Sequence, residues 1–306
     1  MQNNGSTFPR DPFDLYLALL RTLRPHQWVK NLFVAAPLVF SKNLFAGSQL
    51  GRAALAVLCF CLLSGAVYII NDIVDVEKDR AHPRKCRRPI AAGQLAVGAA
   101  RIAAVVLALV GLGIGVGLSL PFVATAAGYL VLNVLYSLWL KRIPFVDVVA
   151  IAAGFLLRVL AGTFAIHVDP SSWLLVCTAL LACFLGFGKR SHELLSAGSG
   201  AERQRAVLAG YRLGHLNVAL WSLALLTTAA YVLYARAPPT VEFFGSHRMI
   251  FTTPFIAIGI WRFLHLVRRR PHAESPTEEM LRDKLFLANI LAWLVAVLAV
   301  IYRAPR

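Results

Sequence analysis

The chain has 306 residues, of which 58% are hydrophobic and only 15% charged, and it carries a net charge of +16. So few charges cannot clothe a soluble domain of this length, and apolar stretches of about 18 or more residues, each long enough to span a bilayer, recur along it. A β-barrel would show short alternating segments instead. The Lys and Arg excess lies mostly in loops between apolar runs, a pattern that sets membrane orientation and excludes a nucleic-acid surface.

In chain order, residues 1–24 read as a cytoplasmic tail ending in an interfacial helix over Leu15 to Leu23. No cleavable leader is expected: the first residues are polar, contain Pro9 and Pro12, and lack a small-residue cleavage site. Residues 25–306 read as a single all-α transmembrane domain. Its spans are expected at roughly 28–46, 53–71, 99–118, 121–140, 146–166, 172–189, 216–235, 249–267 and 285–302. That is a bundle of nine. The tail, the 72–98 loop, Lys141-Arg142, the 189–215 loop and the 268–284 loop hold most of the basic residues. By the positive-inside rule these loops and the N-terminus are cytoplasmic, and an odd number of spans puts the C-terminus outside. Cys59, Cys61, Cys177 and Cys183 lie in apolar segments without metal spacing and read as packing residues.

The second span ends in Asn71-Asp72-Ile73-Val74-Asp75-Val76-Glu77-Lys78-Asp79-Arg80, followed by the basic run Arg84-Lys85-Cys86-Arg87-Arg88. If the helix continues, Asp72, Asp75 and Asp79 share one face. Three carboxylates side by side repel unless they hold a cation. Hard oxygen ligands on one edge suit Mg²⁺, which completes its shell with water and substrate phosphates. The cations downstream suit the remaining phosphate charge. The solvated-loop reading explains the helical register less well.

The other polar residues gather at the predicted cytoplasmic ends of the spans: Lys30 and Asn31 at the first, Tyr136 and Lys141-Arg142 at the fourth, Lys189, Arg190 and Glu193 at the sixth. Arg158 lies within span five, where a charge costs at least about 2.5 kcal/mol on insertion scales and so faces a partner or a wet cavity. Asp147 is one candidate partner. Arg262 in span eight either snorkels or pairs. The one-sided gathering implies an intramembrane site that opens to the cytosol.

Asn71-Asp72-x-x-Asp75-x-x-x-Asp79 followed by Arg88-Pro89-Ile90-Ala91-Ala92-Gly93 resembles the first signature of the UbiA superfamily of intramembrane prenyltransferases, and the nine-span layout agrees. Gln27-Trp28-Val29-Lys30-Asn31, Asp79-Arg80-x-His82-Pro83-x-Lys85, Leu140-Lys141 with Asp147, Arg158-x-x-Ala161-Gly162, Gly188-Lys189-Arg190 with Glu193, and Leu281-Arg282-Asp283 resemble its phosphoribosyl-transferring branch. That resemblance implies transfer of 5-phosphoribose from phosphoribosyl diphosphate to a polyprenyl phosphate of the decaprenyl type, with release of diphosphate, for cell-envelope glycolipid precursors. It implies a bacterial inner-membrane enzyme with Mg²⁺ on Asp72, Asp75 and Asp79. Asn71, Asp72 and Asp75 take the catalytic positions. Lys30, Asn31, Arg80, Lys85, Arg88, Lys189 and Arg190 hold the donor phosphates, and Tyr136, Lys141, Arg142 and Arg158 the acceptor. Asp147 stands where the branch carries Glu, and its role and that of Glu193 stay open between catalysis and structure. Assembly of identical copies is compatible with this reading.

Prenyltransferases of the superfamily place a second acidic motif after span six. Lys189 and Arg190 stand there instead, which exchanges metal-binding acids for phosphate-binding cations. The alternative is therefore a prenyl diphosphate:aromatic acceptor transferase that lacks those acids. A transporter of phosphorylated lipids or nucleotide sugars is weaker, because alternating access expects polar groups near the midplane.

Overall fold

The structure, a computed structural model, describes residues 11–197, 206–269 and 276–303, and no strand occurs among them. Helix α1, Pro12–Leu23, starts where its caps dictate. Asp11 is extended, its carboxylate accepts the Phe13 N–H, and Pro12 takes the first helical position. It stops at Arg24, which turns into the left-handed region at φ 52°.

The segment expected as the first span departs from a regular membrane helix. Pro25–Ala35 is a 3₁₀ helix, and only Ala36–Phe40 (α2) is α-helical. Pro37 has no N–H to offer the Phe33 carbonyl, which the Ala36 N–H takes instead in the tighter pattern. At about 2.0 Å per 3₁₀ residue and 1.5 Å per α residue the run climbs roughly 30 Å. That is comparable to the thickness of the hydrocarbon core, but the segment is not a continuous membrane-length α-helix.

Eight helices among the described residues are long and apolar enough to cross a membrane, one fewer than the nine spans expected. They are α3 (Gly47–Val74), α5 (Val97–Val116), α6 (Leu120–Leu138), α7 (Val146–Ala165), α8 (Ser172–Ala197), α9 (Leu213–Arg236), α11 (Thr253–Arg269, entered through a 3₁₀ turn at His247–Thr252) and α13 (Lys284–Arg303). Shorter helices intervene: α4 (Val76–Arg80), α10 (Pro238–Phe244) and α12 (Pro276–Arg282). The sixth span was expected to stop at 189, yet α8 runs about two turns further. Its buried Arg190, described below, gives that extension an internal anchor.

The chain divides into two compact units, Met1–Leu140 with Leu157–Asp169, and Lys141–Leu156 with Pro170–Arg306. In the first, α3 is the central element. It packs along α5 and against α1, α6 and the 3₁₀ segment. Phe60, Leu63, Phe122, Tyr129 and Ala161 form one core, and Leu23, Ala66, Ile69, Ile90 and Ala100 form another nearer the motif. On α5, Ile102, Val105, Val106 and Leu109 face outward, as lipid contact requires. In the second unit, α9 packs on α8 and α11 on α13, around Phe184, Leu220, Phe263 and Leu264.

Helix α3 is about 42 Å long at 1.5 Å per residue. Near its start, Arg52 holds the C-terminal ends of α5 and α7: Nε donates to the Ala165 carbonyl at 2.7 Å, and Nη2 reaches the Leu118 carbonyl and His167. The acidic motif sits at the other end.

Candidate functional site

Helix α3 does not continue through the motif. It ends at Val74, Asp75 leaves helical geometry (φ −96°, ψ 5°) while its N–H still bonds the Asn71 carbonyl, and α4 starts at Val76. The single helix expected to carry the three acids is therefore interrupted at Asp75. Asp72 lies on the last turn of α3, Asp75 at the joint and Asp79 on α4. Asp75 and Asn71 are half-buried, whereas Asp72 and Asp79 are 2% and 3% exposed. Among the described residues, no three His, Cys, Asp or Glu side chains gather closely enough to hold a metal ion by themselves. Of the three expected acids, Asp72 and Asp79 are the buried pair, and Asp75 lies half-buried at the joint between them.

That pair converges on one nitrogen. Arg88 Nη1 donates to Asp72 Oδ1 at 3.0 Å and to Asp79 Oδ2 at 2.6 Å. A second guanidinium, Arg24 Nη2, donates to the same Asp72 oxygen at 2.5 Å, and this group also lies over the Tyr68 ring, 5.2 Å from its centroid. Sequence reasoning found Arg88 but missed Arg24. Its only signal was a cation beside Pro25 at a helix junction. Two buried carboxylates that close on one positive group form a hard-oxygen donor set. With phosphate oxygens and water completing the shell, it fits a divalent ion such as Mg²⁺.

Other donor-site candidates nearby are placed less centrally. Arg80 is exposed, and its Nη1 pairs with Glu77 at 2.9 Å. Lys85 is half-buried. Its N–H, with that of Arg84, donates to His82 Nδ1 at 3.3 and 3.2 Å. Burial and the neighbouring Lys85 hold the His82 pKa below its ordinary value, so the ring keeps the lone pair that accepts these bonds.

A second group forms deeper in the same unit. Arg158, 6% exposed, donates from Nε to Asn31 Oδ1 at 3.0 Å and from Nη2 to the Tyr129 hydroxyl at 2.8 Å. Its guanidinium lies 4.7 Å from the Tyr129 ring centroid. Asn31 Nδ2 donates to Ser64 Oγ at 3.1 Å. Asn31 is thus a buried part of this network, while Lys30 beside it is half-buried. Gly162 makes the meeting possible: a Cβ there would lie 2.0 Å from the Val34 carbonyl oxygen, so only glycine lets α7 approach the 3₁₀ segment this closely. Tyr129 was not anticipated, since a Tyr within an apolar run reads as core.

In the second unit, Arg190 is fully buried and Nε pairs with Asp147 Oδ2 at 2.6 Å. Its Nη1 pairs with Glu193. The Tyr211 hydroxyl donates to Asp147 Oδ1 at 2.6 Å and accepts the Phe145 N–H at 2.7 Å. Burial first, then this bond to Asp147, raises the Tyr211 pKa, which keeps the phenol a neutral donor. Arg190 is thus buried in an internal ion-pair cluster, engaged by two carboxylates, rather than open at a helix end. Asp147, weighed as a partner of Arg158, pairs with Arg190. Lys189, Lys141 and Tyr136 are half-buried and Arg142 is exposed. Arg262 is paired too: Nε and Nη2 both bond Asp283, at 3.1 and 2.6 Å.

Comparison with known proteins is consistent with this architecture. Residues 31–290 match the UbiA prenyltransferase family. Decaprenyl-phosphate phosphoribosyltransferase of Corynebacterium glutamicum is 33% identical, the match covering 96% of this chain and 90% of that protein. The Mycolicibacterium smegmatis protein of the same name is 32% identical over 95% of this chain and 94% of its own length. Among solved structures, a UbiA homologue from Archaeoglobus fulgidus bound to GPP and Mg²⁺ superposes with a TM-score of 0.70 at 18% identity, covering 93% of this chain and 99% of that one. The chain therefore belongs to the UbiA prenyltransferase family and is an all-α, membrane-spanning enzyme of that superfamily.

Proposed function

We propose that the protein transfers 5-phosphoribose from phosphoribosyl diphosphate to a polyprenyl phosphate and releases diphosphate. The observation that carries this reading is identity of about one third, over nearly the whole length, to proteins named for that reaction. The replacement of a second acidic motif by Lys189 and Arg190 separates the chain from prenyl diphosphate users by sequence, and Arg190 is buried against Asp147 and Glu193.

In this reading an acceptor phosphate oxygen attacks C1 of the ribose as the C1–O bond to diphosphate breaks, through an oxocarbenium-like state. The second ionisation of a phosphate monoester lies near pH 6, so the acceptor is already anionic and no dedicated base is needed. A divalent cation held by Asp72 and Asp79, with Asp75 at the joint beside them, would supply charge stabilisation to the departing diphosphate. Arg24, Arg88, Lys85 and Lys30 supply positive charge for the donor phosphates, and charge-assisted bonds of this kind fix orientation as well as affinity. Lys141 and Arg142 suit the acceptor phosphate by charge. The basic loops support a cytosol-facing site in a bacterial inner membrane, with the 25–40 segment as a ninth crossing.

The test is product mass spectrometry after purified protein is incubated with phosphoribosyl diphosphate, polyprenyl phosphate and Mg²⁺. The expected product is polyprenyl phosphoribosyl phosphate. Label that enters an aromatic acceptor from a prenyl diphosphate, with none from phosphoribosyl diphosphate, would replace this reading with the prenyl one.

A further inference from the structure

The acidic pair is charge-balanced before any ligand arrives. Asp72 Oδ1 accepts from Arg24 Nη2 at 2.5 Å and from Arg88 Nη1 at 3.0 Å, and Asp79 Oδ2 takes the same Arg88 nitrogen at 2.6 Å. Two carboxylates are met by two guanidinium groups. A dication that entered alone would have to displace at least one guanidinium, and would leave the cluster with surplus positive charge in a partly desolvated place, where like charges repel strongly. A diphosphate reverses this balance. Its oxygens can accept the released guanidinium groups, in bidentate fashion, and can also close the coordination shell of the cation.

Exposure is divided in the way such an exchange needs. The carboxylates are buried, with side chains 2% and 4% exposed, whereas the side chains of Arg24 and Arg88 are 22% and 26% exposed. While it bonds Asp72, the Arg24 guanidinium also lies over the Tyr68 ring, and Arg24 sits at a left-handed joint between α1 and the 3₁₀ segment. Arg88 follows a short 3₁₀ turn and is itself extended.

We propose that Arg24 and Arg88 are exchangeable counter-cations. They occupy the acidic pair in the donor-free protein and move onto the donor diphosphate when metal and donor bind together. The proposal rests on the reading that Asp72 and Asp79 hold a divalent cation. It makes metal and diphosphate bind cooperatively, each raising the other's affinity by the same factor, and it makes the metal a weak ligand on its own.

The experiment uses full-length protein in detergent micelles and Mn²⁺ alone as the first probe, with bound metal measured by electron paramagnetic resonance after equilibrium dialysis. Wild type is expected to bind Mn²⁺ only in the millimolar range. Arg24→Met and Arg88→Met should each tighten it tenfold or more, and Asp79→Asn should abolish it. Inorganic diphosphate is the second probe: wild-type micelles should retain labelled diphosphate and Mn²⁺ together at least tenfold better than either alone. Wild type that binds Mn²⁺ alone as tightly as the Arg variants do overturns the exchange but leaves the metal reading standing. No Mn²⁺ retained by any form, with or without diphosphate, overturns the metal reading itself. Should Arg88→Met not fold, Arg24→Met, which frees Asp72 from one partner only, and the wild-type value decide the matter.

Discussion

Removal of Arg190 separates a structural ion pair from a substrate ligand. Its side chain is fully buried, as is that of Asp147, and the two groups meet at 2.6 Å. In Arg190→Ala the Asp147 carboxylate keeps Tyr211 but loses its counter-charge while still buried. Breaking such a pair by removing one partner costs about 3–5 kcal/mol. At roughly 2–4 °C per kcal/mol for a chain of this order of size, Tm should fall by about 6–20 °C. A phosphate contact behaves differently: its loss weakens donor binding about ten- to a hundred-fold and leaves Tm alone. Thermal unfolding in detergent, run beside KM for phosphoribosyl diphosphate, distinguishes the two. Asp147→Asn should destabilise comparably to Arg190→Ala. The double variant Asp147→Leu/Arg190→Met removes both charges and should recover most of the loss, since an apolar pair of similar volume substitutes well for a buried ion pair. An unchanged Tm with a tenfold higher donor KM in Arg190→Ala would refute the argument and return Arg190 to the phosphates.

Gly162→Ala should destabilise the protein by about 1–3 kcal/mol or more, because the added carbon meets a backbone oxygen that cannot rotate away; thermal unfolding reads this directly. Arg262→Ala should cost about 1–3 kcal/mol through loss of the double contact to Asp283, whose carboxylate also caps α13 by accepting the Phe286 N–H, and should leave donor KM unchanged. Tyr129→Phe keeps the ring under Arg158 but removes the hydroxyl acceptor, so a loss of about 1 kcal/mol is expected in unfolding by denaturant.

The spans were legible because lipid imposes one demand, an apolar run of fixed length, and eight of the expected spans differ from the observed helices mainly at their ends. The first was not, because hydropathy does not distinguish α from 3₁₀ winding, and the effect of Pro37 depends on what the preceding turn does. Asp72, Asp79 and Arg88 were legible as a group through their spacing. Their geometry was not, since an interruption at one residue, Asp75, separates the two helices that carry Asp72 and Asp79. Arg24 and Tyr211 escaped because each reaches its partner across a long stretch of chain, 48 residues to Asp72 and 64 to Asp147. The burial of Arg190 was not legible for a related reason. A cation at a predicted helix end looks solvent-facing until the helix is seen to continue and the acid from α7 arrives beside it.

The position of the acids on α3 argues for their use. The carbonyl end of a helix carries partial negative charge, and Lys, Arg or His are the residues that suit it. Here the last turn of a 28-residue helix ends instead in Asn71-Asp72, with Asp75 as the cap. Each carboxylate adds its charge to the negative end of the helix dipole, so the arrangement costs stability for the helix alone. Arg24 and Arg88 offset part of the cost, and they come from outside the helix, from the α1 joint and from the loop beyond α4. A chain that needed only a stable helix end would place the cations on the last turn itself. Carrying the acids there and the cations on separate segments is the arrangement that the proposed exchange requires, since the two arginines can then leave the helix end without unwinding it.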